Sequence, residues 1–420
     1  MQRNVLPNGL TTILVPKKES LATTALVLVR AGSKYETKNI NGLSHFLEHM
    51  CFKGTKTRPT AMDVATALED IGAQFNAFTT QEFTGYYAKV EKDATLKALE
   101  LVADLYLNPI FDPEETEREK GPVIEEIKMR ADNPMVKVMD VFPSLLYGDQ
   151  PAGWDVVGTP EIVQSLTREA ILDYRSAHYV AKGTVVIVAG GFDDGVVTQS
   201  IAKHFVDVSV QNKADKLKTT ESQTEPNLRV LKKDSEQSHL VLGFRAYNTF
   251  DDRQYALNIL SEILGGGMSS RLFHRIRERM GLAYYVRSMT DESTDHGYLA
   301  ARAGIKNGEL RNAVAAMLDE CKKLTTTLIT KEELERAKVQ ARSGLVLGLE
   351  TSDALGQFYG MQEIMGKKLE TPEETLAKFR AVTAEKVQEV AQDIFQNNKM
   401  NLAVIGPIDD EAALKKILTI

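Results

Sequence analysis

The sequence predicts an α+β protein built from two homologous halves, each a mostly antiparallel sheet covered by helices. Three observations carry that expectation. The chain has 420 residues, too many for one ordinary domain. Apolar, β-branched runs alternate with long helical patterns such as Ala94 to Leu107 and Leu310 to Leu324. Finally, three segments of the first half recur in the second half in the same order. Ala25-Leu-Val-Leu-Val-Arg-Ala-Gly resembles His239-Leu-Val-Leu-Gly-Phe-Arg-Ala. Phe111-Asp-Pro-Glu-Glu-Thr-Glu-Arg-Glu-Lys resembles Ile329-Thr-Lys-Glu-Glu-Leu-Glu-Arg-Ala-Lys, and Val185-Val-Ile-Val-Ala-Gly-Gly-Phe-Asp-Asp resembles Asn401-Leu-Ala-Val-Ile-Gly-Pro-Ile-Asp-Asp.

The boundary falls in the polar stretch Ser209 to Asn227, which carries almost no apolar residue and reads as a linker. That division gives a first half at 1–208, a linker at 209–227 and a second half at 228–420. A strand–helix pattern also recurs late in each half, with Thr167 and Thr383 placed as helix N-caps.

Composition narrows the function classes. Hydrophobic residues make up 43% and charged residues 26%, and no apolar run approaches the roughly 18 to 20 residues that span a bilayer, so no membrane partner is expected. The net charge of −7 is mild and the basic residues are dispersed, which argues against nucleic acid as a partner. The start, Met1-Gln-Arg-Asn-Val-Leu, lacks the apolar core of a signal peptide. With only Cys51 and Cys321 there is no disulfide framework, and both fit as small core hydrophobes in a reducing cytoplasm.

Chemistry concentrates in Leu43-Ser-His-Phe-Leu-Glu-His-Met, a helical pattern that puts His45, Glu48 and His49 on one face. Two imidazoles one turn apart can share a Zn²⁺, and a glutamate between them can serve a water as general base. The order His-x-x-Glu-His is the inverted form of the commoner zinc-peptidase motif. The bland alternative is a surface helix with two unrelated histidines. A catalytic zinc needs a third protein ligand, and Glu117-Arg-Glu-Lys-Gly-Pro-Val-Ile-Glu-Glu offers several carboxylates among which spacing alone does not choose.

These residues resemble the pitrilysin, or insulinase, family of inverted-motif zinc peptidases, and most of all its processing-peptidase-like branch of short chains. The resemblance covers essentially the whole chain. It implies Glu126 as the third metal ligand, with Glu119, seven positions earlier, supporting the site, and it leaves Glu125 outside. Phe75-Asn-Ala-Phe-Thr-Thr-Gln-Glu-Phe-Thr-Gly-Tyr-Tyr resembles the family strand that binds extended substrate at a sheet edge, with Asn76 and Ala77 in the matching positions. Read without the family it is a Thr- and aromatic-rich packing strand. The segment from Gly265 to Val286 resembles the one in which an arginine and a tyrosine help to hold substrate, which maps to Arg277 and Tyr284. Without the family, Arg277 would be solvated and Tyr284 packed.

Aligning the halves puts Leu260, Ile263 and Leu264 opposite His45, Glu48 and His49, and Ala337 and Gly344 opposite Glu119 and Glu126. The expectation is one Zn²⁺ per chain, held by the first half, while the second half closes over it in a clam-shell arrangement. The resulting function is a zinc-dependent endopeptidase for extended or unfolded peptides in an enclosed chamber, with Glu48 activating water. The resemblance also implies a homodimer. Two other readings stand beside it: a non-catalytic structural or partner subunit of the same family, and a zinc hydrolase acting on something other than peptides.

Overall fold

The computed structural model describes residues 1–420. Eleven strands form two sheets. The first sheet contains β1 (Gln2–Val5), β2 (Thr11–Pro16), β3 (Ala22–Val29), β4 (Gln74–Thr79), β5 (Thr84–Glu91) and β6 (Thr184–Gly190) in the order β1-β2-β6-β3-β5-β4. The second contains β7 (Asn227–Lys232), β8 (Gln237–Arg245), β9 (Ala283–Glu292), β10 (Gly297–Lys306) and β11 (Met400–Gly406) in the order β7-β11-β8-β10-β9. Apart from the added β1, the two orders are the same, and each sheet has one parallel pair, β2 with β6 and β7 with β11. The repeated segments therefore occupy equivalent strands: β3 matches β8, and β6 matches β11. The duplication is a property of the fold. No helix is long and apolar enough to cross a membrane.

β6 (Thr-Val-Val-Ile-Val-Ala-Gly) and β11 (Met-Asn-Leu-Ala-Val-Ile-Gly) are buried at every position. Such unbroken apolar runs mark strands covered on both faces. In the first sheet one face carries Leu14, Val27, Tyr86 and Val188 against Phe46, Leu99 and Val102 of helices Leu43–Cys51 and Thr95–Leu107. The other face carries Leu26, Leu28 and Ile187 against Tyr359 and Ile364. Those two come from helix Ser352–Ile364, late in the chain. Its Gly360 lies so close that a Cβ would stand 2.9 Å from Leu28 Cδ1.

The second sheet mirrors this arrangement. Val241, Ala300 and Ala403 pack against Val138, Phe142 and Leu146 of helix Pro134–Tyr147, which lies in the first half of the sequence. The compact units are thus 1–127, 154–217 and 347–370 on one side, and 128–153, 218–346 and 371–420 on the other. The polar stretch 209–227 contains the main crossing at 217/218, but a single cut there leaves two helices with the wrong sheet. The physical reason is the two-sided burial of the strands: each sheet needs a second layer, and each half lends the other one helix.

Two smaller differences from the sequence reading concern local structure. The stretch from Phe75 to Tyr87 is a hairpin, because Thr80 turns the chain, its Oγ1 accepting the N–H groups of Glu82 (3.2 Å) and Phe83 (3.0 Å). The region after Leu260 continues as an irregular helical turn, Glu262–Gly266, before a second turn at Phe273–Arg279. Thr167 and Thr383 do cap their helices, accepting from Ala170 N at 3.2 Å and Lys386 N at 3.3 Å.

The fully buried Phe142 ring fills the space above Gly243, where a Cβ would come within 2.5 Å of its Cζ. Phe142→Ala should therefore destabilise the second unit by about 3–5 kcal/mol, read as an earlier denaturant midpoint. A loss below about 1 kcal/mol would show that the borrowed helix is dispensable to that sheet.

Candidate metal centre

Helix Leu43–Cys51 is two-faced. Leu43, Phe46, Leu47, Met50 and Cys51 are buried in the core of the first unit, which leaves His45, Glu48 and His49 half-buried on the opposite side. Its N-cap is Gly42, with φ 96°, a left-handed conformation that suits glycine. Any Cβ there would also lie 2.7 Å from Val157 O. Gly42 has no side chain to cap with, and Glu36 supplies the cap from six residues upstream. Its carboxylate accepts from Gly42 N at 2.8 Å, Ser44 N at 2.6 Å and Asn41 Nδ2 at 3.0 Å. Burial raises the Glu36 pKa, and the hydrogen bonds from Ser44, Gly42 and Asn41 only partly offset that rise.

The second contributor is helix Pro113–Asp132, on which Glu119 and Glu126 stand two turns apart on one side. Glu126 Oε2 lies 3.6 Å from His45 Nε2 and 3.7 Å from His49 Nε2. Ligand atoms of His45, His49 and Glu126 all lie within 4.8 Å of one another. A tetrahedral zinc with bonds near 2.0–2.1 Å sets its ligand atoms about 3.3 Å apart, so the two glutamate–histidine separations fit such an ion with small adjustments. Glu125 on the same helix is exposed.

The chemistry of the donor set agrees with that fit. His49 Nδ1 donates to Glu119 Oε1 at 2.9 Å, which leaves its Nε2 lone pair facing Glu126. Burial would raise the pKa of Glu119, but hydrogen bonds from His49 and Lys53 outweigh it and the pKa is lowered. Conversely, burial would lower the pKa of His49, but Glu119, Glu48 and Glu126 together raise it. Three acids around two imidazoles make a negative field that favours a divalent cation.

Glu48 is shaped differently. Burial is the main influence and raises its pKa, assisted by the charge of Glu126 and opposed by the Thr79 hydrogen bond and His49. Its Oε2 accepts from Thr79 Oγ1 at 2.6 Å. Thr79 ends β4, and β4 closes the sheet with its outer side unpaired. On that strand Asn76 is exposed, and its Oδ1 accepts the N–H of Ala77 at 2.9 Å, a donor that β5 does not use.

The expected residues therefore fall into three groups. His45, Glu48, His49, Glu119 and Glu126 come together, and Asn76 and Ala77 sit on the neighbouring edge strand. Arg277 and Tyr284 belong to the second unit, where the guanidinium lies 4.7 Å from the Phe273 ring and 5.7 Å from the largely exposed Tyr284 ring. The sequence reading missed three residues: Glu36, Lys53 and Thr79. Lys53 had a signal, because it follows His49 by four residues. Thr79 had one too, since it shares a side of β4 with Ala77.

Residues 12–159 match the family model described as Insulinase (Peptidase family M16), and residues 165–341 match the one described as Peptidase M16 inactive domain. The chain belongs to the M16 peptidase family. Its M16 relatives include a Bacillus subtilis protein called "Uncharacterized zinc protease YmxG", 35% identical over 97% of this chain and 98% of that one. A Mycobacterium leprae protein also named as an uncharacterized zinc protease is 35% identical over 100% of this chain and 94% of its own length. Among solved structures, a protease from Helicobacter pylori has the same fold, with a TM-score of 0.89 at 24% identity, over 97% of this chain and 99% of that one.

In this M16 chain the helix that carries both histidines depends on Glu36 for its cap. Glu36→Ala leaves two buried backbone donors without a partner and should cost about 2–3 kcal/mol of stability in urea unfolding. A change below about 0.5 kcal/mol would mean that another group caps the helix.

Proposed function

We propose that the chain is a zinc-dependent endopeptidase that cuts extended or unfolded peptides. The observation that carries the reading is the convergence of His45, His49 and Glu126, with Glu48 held beside them by Thr79. His45 Nε2, His49 Nε2 and Glu126 Oε2 would hold one zinc ion. When bound, the ion supplies Lewis-acid chemistry, acidifying a water and polarising a carbonyl. The relatives' names as zinc proteases support this choice of metal.

The chain's own groups divide the remaining work. Glu48 Oε1 is left to take a proton from the attacking water while Oε2 stays on Thr79, and the same oxygen then delivers that proton to the leaving amine. Its raised pKa suits a group that must both accept and return a proton. β4 offers its unpaired side to a substrate strand, so only a peptide in extended form can pair with it. An arriving carbonyl would replace Asn76 Oδ1 at the Ala77 N–H. A role for Arg277 and Tyr284 in holding substrate is proposed from the family resemblance alone.

The count of one zinc per chain follows from the repeated half. There Leu260, Ile263 and Leu264 are buried core residues at 0%, 5% and 1% exposure, and Ala337 and Gly344 replace the acids. The model called inactive matches residues 165–341, a span that includes Leu260, Ile263, Leu264 and Ala337 and none of His45, His49 or Glu126. An enclosed chamber and pairing into a homodimer are proposed from the family resemblance, and a cytoplasmic location from the two free cysteines.

Glu48→Gln keeps the shape and the Thr79 contact but cannot accept a proton. It should retain zinc and lower kcat/KM on a mixed peptide library by about 10²–10⁴-fold. Full turnover in that variant would remove Glu48 as the base. A wild-type protein that loads zinc yet leaves the library intact would favour the reading as a non-catalytic family member.

A further inference from the structure

Lys53 has no part in the chemistry above, yet its contacts lead directly to a metal ligand. The helix of the two histidines ends at Cys51, and the chain turns on through Phe52 N to His49 O at 3.1 Å and Lys53 N to Met50 O at 3.2 Å. That turn places Lys53 one step beyond His49 on the same side. Its Nζ lies 2.5 Å from Glu119 Oε2, while Glu119 Oε1 lies 2.9 Å from His49 Nδ1. Glu119 itself is only 6% exposed. One buried carboxylate is thus gripped at both oxygens, by a lysine on one and an imidazole N–H on the other.

We propose that Lys53 is a positioning residue for the metal site: it holds Oε2 of Glu119 so that Oε1 stays on His49 Nδ1 and His49 Nε2 stays directed at the ion. A carboxylate with a single partner can pivot about that bond, whereas one bound at both oxygens has its plane set. The orientation matters because Nδ1 must carry the hydrogen for Nε2 to offer a lone pair. Charge matters as well. Lys53 is the lysine paired with Glu119, and without it the buried carboxylate would rest on the His49 ring alone. Arginine can restore the charge, but its planar fork does not reproduce the point contact of an ammonium.

The inference rests on the reading of His45, His49 and Glu126 as zinc ligands, and the test separates the two. In the full chain, Lys53→Met removes charge and donor at similar length, and Lys53→Gln keeps a donor without charge. Zinc affinity is measured by competition with a chromophoric chelator, and the His49 ring nitrogens are followed by ¹⁵N NMR in the zinc-free protein. Both variants should bind zinc about 10–100-fold more weakly, with His49 nitrogen shifts moving toward a mixture of tautomers. Lys53→Arg should recover only part of the affinity, because it restores the charge without the point contact. A merely structural lysine would lower the unfolding temperature while leaving the ring shifts alone. Zinc affinity within twofold of wild type, with unchanged His49 shifts in a folded variant, overturns the proposal. If wild type takes up no zinc, the ligand reading fails, and unchanged ring shifts in the variants would then sink the role of Lys53 on their own.

Discussion

Everything around the candidate centre depends on one hydrogen bond, His49 Nδ1 to Glu119 Oε1, which joins two helices across 70 residues of sequence. Two imidazoles on one helix supply only part of a ligand set, and a carboxylate from a second helix completes it. That meeting requires both helices to be fixed to within a fraction of an ångström. The histidine helix is pinned at its start by the buried Glu36 carboxylate and along its length by the core face from Leu43 to Cys51. The glutamate helix is pinned by Val123 in the same core and by the grip of Lys53 and His49 on Glu119. Stability and site geometry are therefore carried by the same contacts.

The duplication shows why the donor set of His45, His49 and Glu126 has no counterpart in the second half. Both halves keep the strand order, and both keep a helix where the histidine helix lies. In the second half, however, the outward face of that helix has become core: Leu260 and Leu264 join Leu257, Leu272 and Ile276 in one apolar cluster. A leucine at these positions gains burial that a solvated histidine does not, so in the repeat this face adds to the core instead of offering ligand atoms. The exchange of helices Pro134–Tyr147 and Ser352–Ile364 adds a second constraint, since each unit completes its core only when both halves of the chain are present.

Much of this was legible in the sequence because its signals are local. The buried strands read as unbroken apolar runs, the caps at Thr167 and Thr383 stood where a helix pattern opened, and the 3.6-residue period put His45, Glu48 and His49 on one face. What escaped notice was non-local. A glycine at the N-cap gives no hint that Glu36 does the capping, because cap signals are sought at the cap itself. Nothing in the residues of the exchanged helices says which sheet they cover. The hairpin at Thr80 was hidden because the turn contains neither Gly nor Pro. Glu126 is the instructive middle case: spacing left several carboxylates open, the family resemblance chose one, and the distances to His45 Nε2 and His49 Nε2 now give that choice a geometry.

The central claim is a single metal site made by two helices of the first unit. Zinc-edge anomalous diffraction on crystals of the zinc-loaded protein tests it most directly. The account predicts one peak per chain, about 2.0–2.2 Å from His45 Nε2, His49 Nε2 and one oxygen of Glu126. A peak held by other residues, a second peak in the repeated half, or none at all in a zinc-soaked crystal would contradict it.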